Sequence, residues 1–595
     1  MNAARIFGLT AALALAAGGV RAQTAHQQLI SLAQDIIYTT AAIYPMSATY
    51  LGIPGHDGEL EAPSEAFRAA QVQRLSQWRS HLEHIVAGFD AQTPLVDRDD
   101  GALLRARLTR SLDELLVYQS DRKNYAEAAT RLVAVVFMQF QHLPVAGEEG
   151  ATAADVRRAW LDITRRLAGA PAYIAAAQRL VTTPCHLFGV VGARELAGAP
   201  EFLKGALSDA ARSQLGERSR DYSAFVRARD AALAALTRSR EYIEAHLAAW
   251  PENYAMGREA YDRMLKEEQL LPFDARDVER IARDELAHGW AEEAWVQNAA
   301  QRRGVALGAA SGGGLAPGGA ALIDYYRDSI ARLRKFVIEQ QVVTVPDWLG
   351  TMRIVETPAF LQPVSPGASM NPPRLFSLST TGYYYITPPK SLAEAAARLD
   401  MNEDFDRDRI ESTAAHEALP GHFMQLSIAR RNPDFVRRIA FDGVFAEGWA
   451  FYGEEMFVRL GLYGDDLDAR LFVARWERVR GARAVVDPQL ASGAMTYQQA
   501  AGFFAAETGF TREQAEAAVA GIATRPGYVI AYSIGRLQIE ELLAEYLRRK
   551  GAAGSLRDFH DRLLSYGTTP LAIVGPELLA DLDKPASEVR AAANY

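Results

Sequence analysis

His416-Glu417-Ala418-Leu419-Pro420-Gly421-His422 sets two imidazoles six residues apart with a carboxylate beside the first, and Glu447-Gly448-Trp449-Ala450 follows about a helix-length downstream. Two histidines, a distant glutamate and an adjacent acid are the parts of a catalytic zinc site: three protein ligands, an open position for water, and a base. On this reading His416, His422 and Glu447 are the ligands. Glu417 takes the proton of the attacking water and passes it to the leaving group. Zinc would lower the pKa of that water from about 16 to near 7. Ligands of this type also admit manganese, cobalt or iron.

The spacing departs from the usual zinc-peptidase helix, where histidines four apart share a face because four residues rotate about 400°. Six residues rotate about 600°, which puts His422 on a different face of an unbroken helix. Pro420 cannot give an N–H to the carbonyl of His416, and its ring clashes with that carbonyl, so the helix must kink or open there. Gly421 tolerates the dihedrals of such a break. A widened turn can then return His422 to the side of His416; the alternative is a kinked core helix with two hydrogen-bonded histidines.

Residues 441–460 are strongly apolar, with Val444, Phe445, Trp449, Phe451, Tyr452, Met456 and Phe457 around Glu447. A buried unpaired carboxylate costs several kcal/mol, roughly, and tends to neutralise. A divalent cation would hold it ionised, and so would an interior arginine. Gly448 and Ala450 are small enough for another helix to approach closely. Glu454 lies two turns beyond Glu447 on nearly the same face, placed to hydrogen-bond a ligand histidine from behind.

The elements that must position these groups read as predominantly helical. Apolar residues recur at three- and four-residue spacing over 67–85 and 103–118, and 207–249 reads as two helices stopped by Trp250-Pro251. Residues 274–302 form an amphipathic helix capped by Asp274 or Asp277, with Ile281, Leu286 and Trp290 as its stripe. Residues 304–320, rich in glycine and alanine, read as a linker without the G-K-[ST] ending of a phosphate cradle. Residues 336–389 change character: 342–345, 352–355 and 383–387 are β-branched or aromatic, separated by proline and glycine. The expected class is mostly α: a large, multi-helix, two-lobed protein with one small β-sheet around residues 340–390. Its single helical domain spans 23–595, with an N-terminal lobe over 23–270 and the metal site in 271–595.

Other chemistry-bearing residues are less persuasive. His56 and Asp57 sit in the breaker-rich turn 52–58, and His81 and His84 share a helix face without a third ligand nearby. Cys185 is the single cysteine, so no intrachain disulfide can form. No G-x-S-x-G lies at a strand-to-helix elbow, which disfavours a serine hydrolase of that type.

The N-terminus reads as a secretory signal over 1–22: Arg5, an apolar run from Ile6 to Ala17, and a small residue at Ala22 before the cut. Its removal takes away Arg5 and Arg21 and no acid, so the formal charge of −9 becomes −11. That charge argues against nucleic acid and against a polybasic membrane surface. The expected location is periplasmic or secreted, without stable membrane insertion once the signal is cleaved.

Several segments together resemble the bacterial domain-of-unknown-function 885 family, whose members are regarded as zinc-dependent helical peptidases. They are Pro45 to Gly52, Gly257-Arg258-Glu259-Ala260-Tyr261, Gly382-Tyr383-Tyr384-Tyr385, His416 to Gln425, Glu447-Gly448-Trp449-Ala450, Arg525-Pro526-Gly527, and Tyr532 with Gly535. The resemblance implies a peptide substrate, bound Zn2+, and Tyr532 as the hydroxyl donor to the developing oxyanion, with Tyr528 as second choice. One departure stands out: the family places a histidine shortly after an Arg-x-Val-Val-Asp-like segment, whereas Ala484 to Ala491 has none. Arg483 and Asp487 are expected to pair there. Arg525 or Arg536 could receive a substrate carboxylate through a forked contact, or pair with acids such as Glu540. Tyr383 and Tyr385 could present a strand edge to an extended peptide. The expected function is a metal-dependent peptidase, oligopeptidase- or carboxypeptidase-like. A zinc amidase or esterase and a non-catalytic peptide-binding protein are the alternatives.

Overall fold

Side-chain caps fix where many of the helices begin. Thr24, Ser64, Thr152, Ser219, Asp274, Thr496 and Thr511 each accept a backbone N–H of the first turn, satisfying a donor that the helix itself leaves open. The computed structural model describes residues 23–147, 150–307, 320–357, 368–387 and 407–592, and the architecture is mostly α. The signal segment and most of the 304–320 linker lie outside the described residues. None of the described helices is long and apolar enough to cross a membrane.

The helical expectations hold in their main lines. Residues 67–85 fall within the Glu65–Ala87 helix, and 207–249 divides into Ala206–Leu215 and Arg220–His246. Asp274 is the cap of the Ala275–Arg303 helix, with Asp277 closing a capping box. Trp290 departs from its stripe: it is exposed, its indole N–H donates to Glu507, and Arg478 lies 4.0 Å from its ring.

One core cluster is built from the N-terminal half and another from residues 322–582. Four further clusters among the described residues join distant segments: Leu29 to Leu108 with Val436 and Ile573, Cys185 and Leu187 with Val479 to Ala523, Tyr261 to Ala282 with Val444 and Ile530, and Val296 and Ala300 with Leu467 and Leu471. Cys185 is a buried packing residue.

The sheet has order β1-β3-β2, with β1 Met352–Glu356, β2 Ala368–Asn371 and β3 Gly382–Ile386. β1 runs parallel to β3 and β2 antiparallel. Alternation along β3 sends Tyr385 into the N-terminal core and Tyr384 into the C-terminal one. The expected strand at 342–345 is absent: Val342 and Val343 are buried in the C-terminal core as irregular chain, and Thr344 bonds to Asp561 instead of a ladder.

What positions the site is a helix crossing. Gly443–Arg459 and Ala531–Lys550 meet glycine to glycine: a Cβ added at Gly448 would lie 2.4 Å from the backbone of Gly535, and one at Gly535 would lie 2.0 Å from the carbonyl of Val444. Gly448→Ala must therefore push the paired backbones apart. It is expected to cost about 2–4 kcal/mol of unfolding free energy, measured by denaturant titration. A loss under about 0.5 kcal/mol would show that the helices are not so close.

Candidate metal centre

The Arg407–Glu417 helix ends at Glu417, and a new helix, His422–Ala429, starts after a four-residue turn. The last turn opens as Pro420 requires, with Ala418 N–H and Leu419 N–H both reaching Ala414 O at 2.8 and 3.3 Å. The Leu419–Pro420 peptide bond is cis. At Gly421 the chain doubles back so tightly that a Cβ would sit 1.8 Å from His416 O, so only glycine fits. The Trp449 indole N–H donates to Pro420 O at 2.8 Å and fastens the turn to the Gly443–Arg459 helix. That helix starts at Asp442, whose carboxylate accepts from Val444 N–H and Phe445 N–H.

The turn brings the three expected ligands together. His416 Nε2 lies 3.5 Å and His422 Nε2 3.2 Å from Glu447 Oε2, and the two rings stand nearly perpendicular with centroids 4.7 Å apart. Most other polar atoms of the trio are already engaged. Tyr528 Oη donates to Glu447 Oε1 at 2.7 Å. His416 Nδ1 is 2.6 Å from Glu454 Oε1, and Arg480 grips both oxygens of Glu454 at 2.7 and 2.9 Å. His422 Nδ1 is buried without a hydrogen bond.

Glu447 Oε2 is likewise buried without a well-aligned hydrogen bond, although two imidazoles face it. Such an orphaned acceptor beside two nitrogens suits a cation better than a hydrogen-bond network. His560 is the contrast: it is equally buried, but its nitrogens are matched by Val342 O at 2.7 Å and Tyr452 Oη at 3.0 Å. The donor set of two imidazole nitrogens and one carboxylate oxygen, with a carboxylate behind one imidazole, is of a kind that fits a divalent ion such as zinc.

The electrostatics agree with that fit. Burial pushes His416 down, but Glu447 and Glu454 outweigh it and lift its pKa to about 10. Burial pushes Glu447 up, yet the two histidines hold it well below the usual carboxylate range. Glu454 is likewise lowered: burial opposes, and Arg480 and His416 prevail. Burial raises Glu417, against the pull of His416 and His422, as suits a base.

The other expected residues divide. Tyr528, the second choice, makes the direct contact to a ligand, while the Tyr532 ring stacks near His416 at 6.2 Å with Arg480 at 5.3 Å. Arg536 is committed elsewhere, to Glu285, to Glu455 at 2.7 Å and to Glu540 at 3.3 Å, so it is not available as a fork for substrate. Arg525 is exposed over the Tyr528 ring at 5.0 Å. Tyr383 and Tyr385 occupy the central strand, both of whose edges are paired, so they offer no edge to a peptide. Tyr383 Oη donates instead to Gln141 O, and Tyr385 packs against Phe137. Arg483 and Asp487 do not pair: Asp487 accepts from Tyr261 Oη at 2.9 Å and Gly527 N–H at 2.8 Å. The segment without the family histidine ends at Ala491, whose carbonyl accepts from Met256 N–H and Gly257 N–H. Arg480 was not among the expected residues; no spacing links it to Glu454 on a different helix.

Two other groups could bring three ligand atoms together among the described residues: His26 with Asp100 and Asp434, and His288 with Glu455 and Glu477. Each has an arginine already on a carboxylate, Arg437 on Asp100 and Arg536 on Glu455, and each histidine is partly exposed. A cavity of about 680 Å³ lies between the N-terminal helices and residues 436–441, and none of the trio lines it.

A family model described as bacterial protein of unknown function (DUF885) matches residues 45–578. The chain belongs to the DUF885 family. Two solved structures share the fold at 19% identity. One is a candidate lipoprotein from Colwellia psychrerythraea (TM-score 0.74, covering 94% of this chain and 99% of that one). The other is a candidate lipoprotein of unknown function from Shewanella oneidensis (TM-score 0.71, covering 94% and 100%). No curated protein matches the chain. In this DUF885 chain the segments outside the trio act as its frame. Tyr261 and Gly527 both dock on Asp487, which holds Tyr528 in place, and Gly535 receives the Glu447 helix.

Against its burial, Glu447 and Glu454 favour the protonated imidazole at His416, so a divalent ion that binds Nε2 must displace that proton. Zinc binding at pH 7 is expected to release about one proton from this site, measured by calorimetry in buffers of different ionisation enthalpy. Glu454→Gln should weaken zinc affinity by about 10–100-fold. Unchanged affinity would mean that the carboxylate behind His416 has no role in the site.

Proposed function

We propose that this protein is a periplasmic or secreted zinc-dependent peptidase. The observation that carries the reading is the convergence of His416, His422 and the orphaned Glu447 Oε2 next to Glu417. His416, His422 and Glu447 would hold the metal, which supplies an activated water and a Lewis acid for the substrate carbonyl. Glu417 receives the proton of the attacking water and delivers it to the leaving amine. Burial has already raised its proton affinity for that purpose. Tyr528 and Tyr532 are both kept un-ionised, first by burial and then by Glu447; the Tyr528 O–H is given to Glu447, which leaves Tyr532 as the phenol for the substrate. A neutral phenol aimed at a carbonyl oxygen stabilises charge that develops there. Glu454 and Arg480 fix the His416 ring, so that Nε2 rather than Nδ1 faces the site.

The location rests on the signal-like N-terminus and on the description of both structural neighbours as candidate lipoproteins. The net charge of −9 gives no footing for nucleic acid as a partner.

Glu417→Gln tests the chemistry without removing a ligand. Turnover of a mixed peptide library by the zinc-loaded variant is expected to fall by about 10²–10⁴ while one zinc per chain is retained. Equal turnover by variant and wild type, or turnover that persists after chelation, would overturn the assignment.

A further inference from the structure

We propose that Arg483 is the receptor for a substrate carboxylate, and that the peptides acted on present a free C-terminal carboxylate next to the bond cleaved. The proposal rests on the peptidase reading for its chemistry but not for its binding.

Arg480, Arg483 and Asp487 lie at three- and four-residue spacing on one face of the Leu467–Ser492 helix. At one end of that face Arg480 grips Glu454 and lies 5.3 Å from the Tyr532 ring. At the other, Asp487 takes the Gly527 N–H. The stretch between them looks onto residues 527–532, and Arg483 stands in its middle. Its guanidinium lies 5.5 Å from the Trp476 ring, and among the described residues no carboxylate or carbonyl pairs with it. The groups that bear on its charge are Tyr532, Tyr528 and Glu447 on the site side, and Arg480 on its own helix.

An unmatched guanidinium is out of keeping with its surroundings. The chain carries 73 acids against 64 lysines and arginines. The neighbouring arginines are satisfied: Arg475 and Arg478 share Glu293 at 3.0 and 2.9 Å, and Arg536 has Glu455. Among the described residues of this region, Arg483 has no carboxylate within ion-pair distance, and exposed Arg525 lies over the Tyr528 ring, with Glu195 as the acid that feels its charge. Tyr528 is also the residue that holds Glu447 and reaches the surface, with 36% exposure. An anion held beside Tyr528 would meet a planar fork suited to a carboxylate, within the electrostatic reach of Glu447.

A terminal carboxylate seated there places the last peptide bond, rather than an interior one, at the trio. One water is consumed: its oxygen joins the carbonyl carbon, the C–N bond breaks, and the proton held by Glu417 passes to the amino group of the released amino acid.

The test compares one peptide as free acid and as C-terminal amide on the zinc-loaded full-length protein. Wild type is expected to favour the acid by about 100-fold in kcat/KM. In Arg483→Gln the ratio of acid to amide collapses toward one, chiefly through KM, and Arg483→Lys restores some of it. Arg525→Gln, at an exposed position, lowers the ratio several-fold even if Arg483→Gln fails to fold. A wild-type ratio near one, an unchanged ratio in Arg483→Gln or, should that variant not fold, an unchanged ratio in Arg525→Gln overturns the proposal. Calorimetric binding of both peptides to zinc-loaded Glu417→Gln separates it from the peptidase reading. Tighter binding of the acid, lost on adding Arg483→Gln, supports the carboxylate receptor even if wild type cleaves nothing. Equal binding of acid and amide rejects the receptor even if cleavage occurs.

Discussion

The site depends on the close passage of Gly421 over the carbonyl of His416. Six residues along an unbroken helix would carry the second imidazole to a different face. Ending the helix at Glu417 and folding the chain back on itself returns His422 to within reach of the acid that His416 faces. No other residue type allows that approach, since even a methyl group would overlap the carbonyl. Two side chains fasten the two sides of the break: Trp449 holds the returned segment through Pro420 O, and Glu454 holds the His416 ring on the helix before it.

A second close passage sets Glu447. Gly448 against Gly535 brings the Glu447 helix onto the helix that carries Tyr532, with Tyr528 just before its start. Glu447 is thus presented by one glycine contact and oriented by a tyrosine that leads into the other helix. Both devices are backbone contacts in a well-packed interior, so small changes in volume there are felt at His416, His422 and Glu447. Behind them runs a chain of charges: Glu447, His416, Glu454 and Arg480 alternate in sign, which lets several ionisable groups be buried together.

Much of this was legible in the sequence, and the reasons are local. Pro420-Gly421 announces a break, and an acid amid Phe445, Trp449 and Phe451 announces a buried charge in want of a partner. What was not legible is pairing across the fold. Arg480 with Glu454, Asp487 with Gly527, and Arg536 with three acids join segments whose spacing carries no signal. The strand β2 was invisible because Ala-Ser-Met-Asn has little strand propensity, and its place is fixed by pairing with β3. The opposite error occurred at 342–345, where β-branched residues are buried by core packing rather than by a ladder. The tyrosines of β3 have a packing explanation: the central strand spans the two large cores, and aromatic side chains fill both.

Everything proposed for the site requires one metal ion where His416, His422 and Glu447 converge. Anomalous diffraction at the zinc edge from zinc-loaded crystals shows directly whether it is there. A single dominant peak is expected about 2.0–2.2 Å from His416 Nε2, His422 Nε2 and Glu447 Oε2. An empty position there, or a dominant peak at the His26–Asp434 or His288–Glu477 group, would contradict it.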